Sequence, residues 1–135
     1  MNQRGFATLE VILMVMVIGI LASIAVPRFT NVTAEANTAK IQADLSAIDT
    51  AIAVAIMSGE TITADKKVSE TDALKNYLQD YDKIKPPTGN CYIGGTNPEP
   101  VPEGDYTIAA ASTTDTTLRA TLNGKTAGDF FKAKS

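Results

Sequence analysis

One carboxylate, Glu10, stands at the head of an apolar tract, and Gly5-Phe6 ends the short polar stretch Met1-Asn2-Gln3-Arg4 just before it. A carboxylate inside a membrane-spanning segment costs on the order of 2.5–3.5 kcal/mol, so Glu10 is a functional residue by default and needs a counter-charge. Arg4 is the only nearby cation in the intact chain. A cut between Gly5 and Phe6 would place a new α-amino group four residues before Glu10, on the same helix face. That chemistry is charge pairing and proteolytic processing, not turnover. Other chemistries are excluded by composition. The chain has no His, which removes Ser-His-Asp, Cys-His and His-ligated metal sites. Its one cysteine, Cys91, cannot close an intramolecular disulfide or a thiol-rich zinc site. Fifteen acidic against twelve basic residues give no basic footprint for nucleic acid. No phosphate-cradling glycine loop or nucleophile elbow is present. No catalytic residue, metal or cofactor is therefore expected.

The element that must position Glu10 is the tract itself. Val11–Val26 is sixteen residues without a charge, and all but Gly19 and Ser23 are hydrophobic. As a helix it spans roughly 24 Å, and about 31 Å with Phe6–Leu9 included, enough for a bilayer core. Three readings are open. A removed secretory signal would use Arg4 as a thin basic region and Ser23-Ile24-Ala25 as its cleavage site. A soluble core helix would need far more hydrophobic mass than the rest of these 135 residues offers. An all-round apolar helix belongs in a membrane or among copies of itself, which favours an anchor. The near-zero mean hydropathy of +0.02 thus averages a membrane-compatible segment and a polar, Thr-, Ala- and Asp-rich one.

Gly5-Phe6-Ala7-Thr8-Leu9-Glu10, with the apolar run that reaches Pro27, resembles the class III leader and N-terminal helix of type IV pilins. The pseudopilins of type II secretion and the competence pilins share that signature. The resemblance is close over residues 1 to about 30 and looser to about 58. It departs at Ala7-Thr8, where Thr-Leu is common, without disturbing the register of Gly, Phe and Glu. It implies that a prepilin peptidase cuts after Gly5 and methylates Phe6. It also implies that Glu10 pairs in assembly with the Phe6 amine of a neighbouring subunit, and that Pro27 bends the helix. The implied partners are further copies of the chain in a helical filament, the peptidase, and an inner-membrane assembly platform with its ATPase. The implied location is a single pass of the cytoplasmic membrane as precursor, Arg4 inside, then an extracellular fibre. Many family members close a loop near the C-terminus with a disulfide, which a lone Cys91 cannot do; a free, half-buried thiol is the expectation.

Beyond the tract, Pro27 would end or kink a helix, yet helical periodicity resumes. Phe29, Val32, Ala36 and Ala39 make one stripe; Ile41, Leu45, Ile48, Ile52 and Ile56 make a cleaner one, with Asn37, Gln42, Asp44 and Asp49 off it. Gly59 is the stop. The pattern predicts one helix from Phe6 to about Ser58, some 53 residues or roughly 80 Å. Its amphipathic half needs a cover. Ser69-Glu70-Thr71-Asp72 reads as a capping box before a short helix carrying Leu74, Tyr77, Leu78 and Tyr81. Cys91-Tyr92-Ile93 reads as a short strand, and the proline-bearing stretch 94–104 as a loop. Asp105–Ser112 and Thr116–Leu122 read as strands joined through Thr113-Thr114-Asp115. Asn123-Gly124 is a turn, and Phe130-Phe131 is expected to dock the tail. The proline loop and the Thr-rich tract 112–117 are candidates for exposed surface. The expected organisation is a leader (1–5), a hydrophobic half-helix (6–27), an amphipathic half-helix (28–58) and a C-terminal part (59–135). The fold class is α+β, the pilin layout of a long N-terminal helix packed on a small antiparallel sheet.

The functional expectation is a pilin: a structural, non-enzymatic subunit of a type IV pilus serving adhesion, twitching motility or DNA uptake. Two alternatives stay open. In a type II secretion pseudopilin the major subunit usually carries an acidic calcium loop near its C-terminus, but after Asp115 this chain holds a single acid, Asp129. A competence pilin would touch DNA, for which no phosphate-binding patch is evident. Minor pilins often lack the assembly Glu, so Glu10 favours a principal subunit. A secreted small binding domain behind an ordinary signal peptide is the remaining class, with a mature chain starting near Val26.

Overall fold

A computed structural model describes residues 3–110 and 117–134, the side chain of Pro27 excepted. Met1-Asn2, the Thr113-Thr114-Asp115 connection and all but Thr117 of the Thr-rich tract lie outside the described residues. One helix, α1, covers Gln3–Met57, and the chain divides into two compact units, Met1–Val32 and Thr33–Ser135.

In the first unit every described hydrophobic of the tract but Ala25 is open. The large apolar side chains from Phe6 to Val26 are all between 48% and 64% exposed. Such a run of Val and Ile forms helix because a segment without water must satisfy its backbone internally. Polar side chains there also close on the helix. The Thr8 hydroxyl donates to the Arg4 carbonyl at 2.9 Å, and the Ser23 hydroxyl to the Ile20 carbonyl at 2.7 Å. The helix is long and apolar enough to cross a bilayer. Helical backbone runs on through position 27.

In the second unit α1 supplies the floor of the core. Ile41, Leu45, Ile48 and Ile52 are buried, as their spacing predicts, together with Ala51 and Ala55. Ile56 is not: it is 47% exposed, because after Ile52 the buried face advances three residues to Ala55. The other stripe lies outside the core. Phe29, Val32, Ala36 and Ala39 are exposed, whereas Ala34 and Thr38 are buried. The helix ends as Gly59 predicts. Gly59 takes φ 90°, its N–H donates to the Ile56 carbonyl at 3.0 Å, and the Glu60 N–H donates to the Ala55 carbonyl at 3.0 Å. This pair of bonds defines a Schellman end.

The cover is a three-stranded antiparallel sheet in the order β1 (Lys66–Lys67), β4 (Tyr106–Ala110), β5 (Leu118–Leu122). A two-stranded ribbon of β2 (Asn90–Cys91) and β3 (Glu99–Pro100) accompanies it. The register Tyr106↔Leu122 and Ile108↔Ala120 turns those four residues inward. The opposite face carries the Thr107 and Thr121 hydroxyls 3.0 Å apart. Asn123 and Gly124 both take positive φ, 50° and 77°. Leu122 and Lys125 exchange both backbone hydrogen bonds, at 2.9 and 3.0 Å, as a two-residue hairpin requires.

Three local expectations change. The helix over 69–81 is replaced by two 3-10 turns, Val68–Glu70 and Asp72–Leu74. Its capping box is not made: the Thr71 hydroxyl donates backward to the Lys67 carbonyl at 2.9 Å, and the Asp72 carboxylate accepts the Tyr81 hydroxyl at 2.9 Å. A segment this short gains too little from helix propagation to beat such local bonds, and Leu74 and Leu78 are buried all the same. The box that does form joins Thr126 and Asp129. The proline-rich stretch 94–104 is not wholly loop, since Glu99–Pro100 pairs with Asn90–Cys91. The α+β layout itself, a long helix with a small antiparallel sheet, is as expected.

Candidate functional site

Gly5, Phe6 and Glu10 all lie on α1 and all are exposed. A Cβ built on Gly5 meets nothing within 4 Å, so space does not explain that glycine. Phe6 is 61% exposed and, one turn before Glu10, shares its face. Pro27 sits seventeen positions after Glu10 on the same helix. The three positions expected to serve processing and assembly are therefore adjacent, while Pro27 stands apart from them. Among the described residues no group of three or more His, Cys, Asp and Glu could hold a metal.

A second set of polar side chains acts within the fold, and the sequence pattern places them only as the off-stripe face. Asn37 donates to the Thr88 and Asn90 carbonyls at 3.0 and 2.9 Å. Gln42 donates to the Phe130 carbonyl. Asp44 accepts the Tyr106 hydroxyl at 2.8 Å, and Asp49 accepts the Ala120 N–H at 2.6 Å. Asp49 also lies 3.7 Å from the Arg119 guanidinium. These flanking groups tie α1 to its cover, and the spacing along α1 carried the signal: each sits beside the apolar stripe rather than opposite it.

Cys91 is free and fully buried, not half-buried. Burial, helped by Glu99, pushes its thiol above the ordinary 9.0. Burial first, then the hydrogen bond to Asp44, holds the Tyr106 phenol well above the ordinary 10.0. Both shifts favour the neutral group in the folded state. Their stability contribution is fully present below the ordinary values and is lost as pH climbs past them. The urea midpoint is expected to hold up to about pH 9 and to fall above it. In Tyr106→Phe the part of the fall that begins near pH 10 should shrink, leaving the share of the other upward-shifted groups, Tyr81 and Lys132; urea titrations from pH 8 to 11 read it.

Eight curated proteins match the chain well. The type IV narrow pilus major component of Thermus thermophilus is 39% identical over 62 residues, 46% of this chain and 53% of that protein. A fimbrial protein of Pseudomonas aeruginosa is 35% identical over 69 residues, 51% of this chain and 45% of its own length. A type IV major fimbrial protein of Dichelobacter nodosus is 26% identical over 123 residues, 91% of this chain and 62% of that protein. The chain thus spans about half the length of the curated relatives it matches. No family profile matches, and no solved structure does. The exposed apolar helix, the α+β layout and these relatives, all named as pilus or fimbrial proteins, point the same way: the chain is similar to type IV pilins.

Proposed function

We propose that the chain is a structural pilin that polymerises into a type IV pilus. The observation that carries this reading is a helix whose residues 6–26 are apolar on every side and open, with Glu10 the one charge among them. A surface of that kind is covered by lipid before assembly and by copies of itself after it. The whole residue set then has a role. A prepilin peptidase removes residues 1–5 by cutting after Gly5 and methylates Phe6. Glu10 pairs with the Phe6 amine of a neighbouring subunit, and Pro27 bends the helix between its hydrophobic and amphipathic halves. Residues 59–135 form the C-terminal part outside the membrane, and an inner-membrane platform with an ATPase lifts the subunit from the cytoplasmic membrane into an extracellular fibre.

Moving an apolar helix from lipid into a bundle gains little hydrophobic free energy, because both surroundings are apolar; packing and polar pairing must supply the rest. The carboxylate–amine pair sets register, since a misplaced subunit leaves a buried charge without its partner, a loss of about 3–5 kcal/mol. Relatives named as major pilus components support the pilus over the pseudopilus. The mass and N-terminal residue of this protein in sheared surface fibres test the reading. The expected species begins at N-methylated Phe6. Fibres that retain residues 1–5, or a mature chain released singly into the medium from near Val26, would overturn it.

A further inference from the structure

The segment after the Asn123-Gly124 hairpin runs across α1 and is held in two different ways. Phe130 is fully buried among the core residues, and its carbonyl accepts the Gln42 amide. From Phe131 onward burial ends: Phe131 is 48% exposed. What holds this stretch is a set of polar contacts to one short loop and one helix turn. The Gly94 N–H donates to the Phe131 carbonyl at 2.8 Å, and the Ala133 N–H donates to the Gly95 carbonyl at 3.0 Å. The Lys132 ammonium reaches Glu35 at 2.8 Å and stands 5.1 Å from the centre of the Tyr92 ring. No covalent staple reinforces them, because the single cysteine is the buried, free Cys91.

The loop on the other side is divided at the same depth. The Tyr92 ring is buried, and its N–H donates to the buried Thr38 hydroxyl at 2.8 Å, independently of the crossing segment. Shortly after it come two glycines. Gly94 takes φ 69°, and a Cβ there would lie 3.5 Å from the Phe131 ring, so the two strips of chain are close enough to press on each other. Glycine backbone turns freely where other residues do not. Both strips thus change from anchored to weakly held at neighbouring points, Phe130 on one and Tyr92 on the other.

We infer that Gly94–Gly95 and Phe131–Lys134 form a latch that opens as one unit, hinged at Tyr92 and Phe130, while the core stays folded. Few buried contacts and exposed hydrogen bonds are the marks of a low-energy opening unit. Opening widens a hollow of about 220 Å³ bordered by Glu35, Thr38, Gln42 and Tyr92. It also frees the Gly94 N–H and the Gly95 carbonyl, main-chain groups of the kind an extended segment pairs with.

Native-state hydrogen exchange on the full detergent-solubilised chain tests the latch. The Gly94 and Ala133 amides are expected to share one opening free energy and to exchange at least about tenfold faster than the Tyr92 and Leu45 amides, corrected for intrinsic rates. Lys132→Met, which keeps the aliphatic stem but removes the charge, should speed Gly94 and Ala133 together by about three- to thirtyfold and leave Tyr92 unchanged. Gly94 or Ala133 amides as slow as Leu45 would overturn the inference. So would a Lys132→Met response confined to one strip, absent from both, or shared equally by Tyr92.

Discussion

Cells making the Glu10→Leu chain are expected to hold normal amounts of the cut, membrane-inserted protein and to show no fibres. Leucine suits the bilayer better than glutamate does, so the anchored pool should not shrink; insertion scales separate the two by several kcal/mol in leucine's favour. The loss falls on assembly. On the proposed assembly, removing the carboxylate would leave the Phe6 amine in a helix bundle with no counter-charge, at a cost of about 3–5 kcal/mol per subunit. Since 1.4 kcal/mol is tenfold, subunit addition weakens by roughly two to three and a half orders of magnitude. Glu10→Gln keeps the shape and some hydrogen bonding, and should fall between the two. Immunoblots of membrane and sheared fractions, with electron microscopy of the cell surface, read the outcome. Normal fibres from Glu10→Leu would end the pairing argument while leaving the filament itself intact.

That prediction rests on a part of the molecule legible from its sequence, and the reason is dimensional. Gly5, Phe6, Glu10 and the tract to Val26 lie along one helix, so spacing in sequence is spacing in space. The same holds for Ile41, Leu45, Ile48 and Ile52, for the Gly59 stop and for the Asn123-Gly124 hairpin, each a local rule acting on a few neighbours. Legibility fails where partners come from far along the chain. Asp44 meets Tyr106 62 residues on, Asp49 meets Ala120 71 residues on, and Gln42 meets Phe130 88 residues on. A polar residue beside an apolar stripe looks solvated until its distant acceptor or donor is known. Between Ser69 and Tyr81 the failure is energetic instead. The side chains with capping potential found other bonds within nine residues, and of the apolar side chains that suggested a helix Leu74 reaches the core from a 3-10 turn and Leu78 from the irregular chain after it.

The Ile52–Ile56 step is where sequence pattern and packing disagree most sharply, and mutation there separates them. A stripe reading makes Leu45 and Ile56 equivalent. In the folded second unit they are opposites: Leu45 is fully buried within the cluster that includes Ile48, Tyr106, Ile108 and Leu122, whereas Ile56 is 47% exposed. Leu45→Ala removes buried methyl groups and leaves a cavity that the surrounding helix and sheet close only in part, at an expected cost of about 2–5 kcal/mol. Against a domain stability of about 5–15 kcal/mol, that is enough to populate unfolded chains near growth temperature. Ile56→Ala takes away a side chain that is about half in solvent already, and alanine is the better helix former. Its urea midpoint should stay close to the parent value, within about 0.5 kcal/mol. Urea titrations of the two variants and the parent decide it. Equal losses at both sites would mean that the buried face follows the four-residue step to Ile56, which would displace Ala55 from the core and turn the end of α1 relative to its cover.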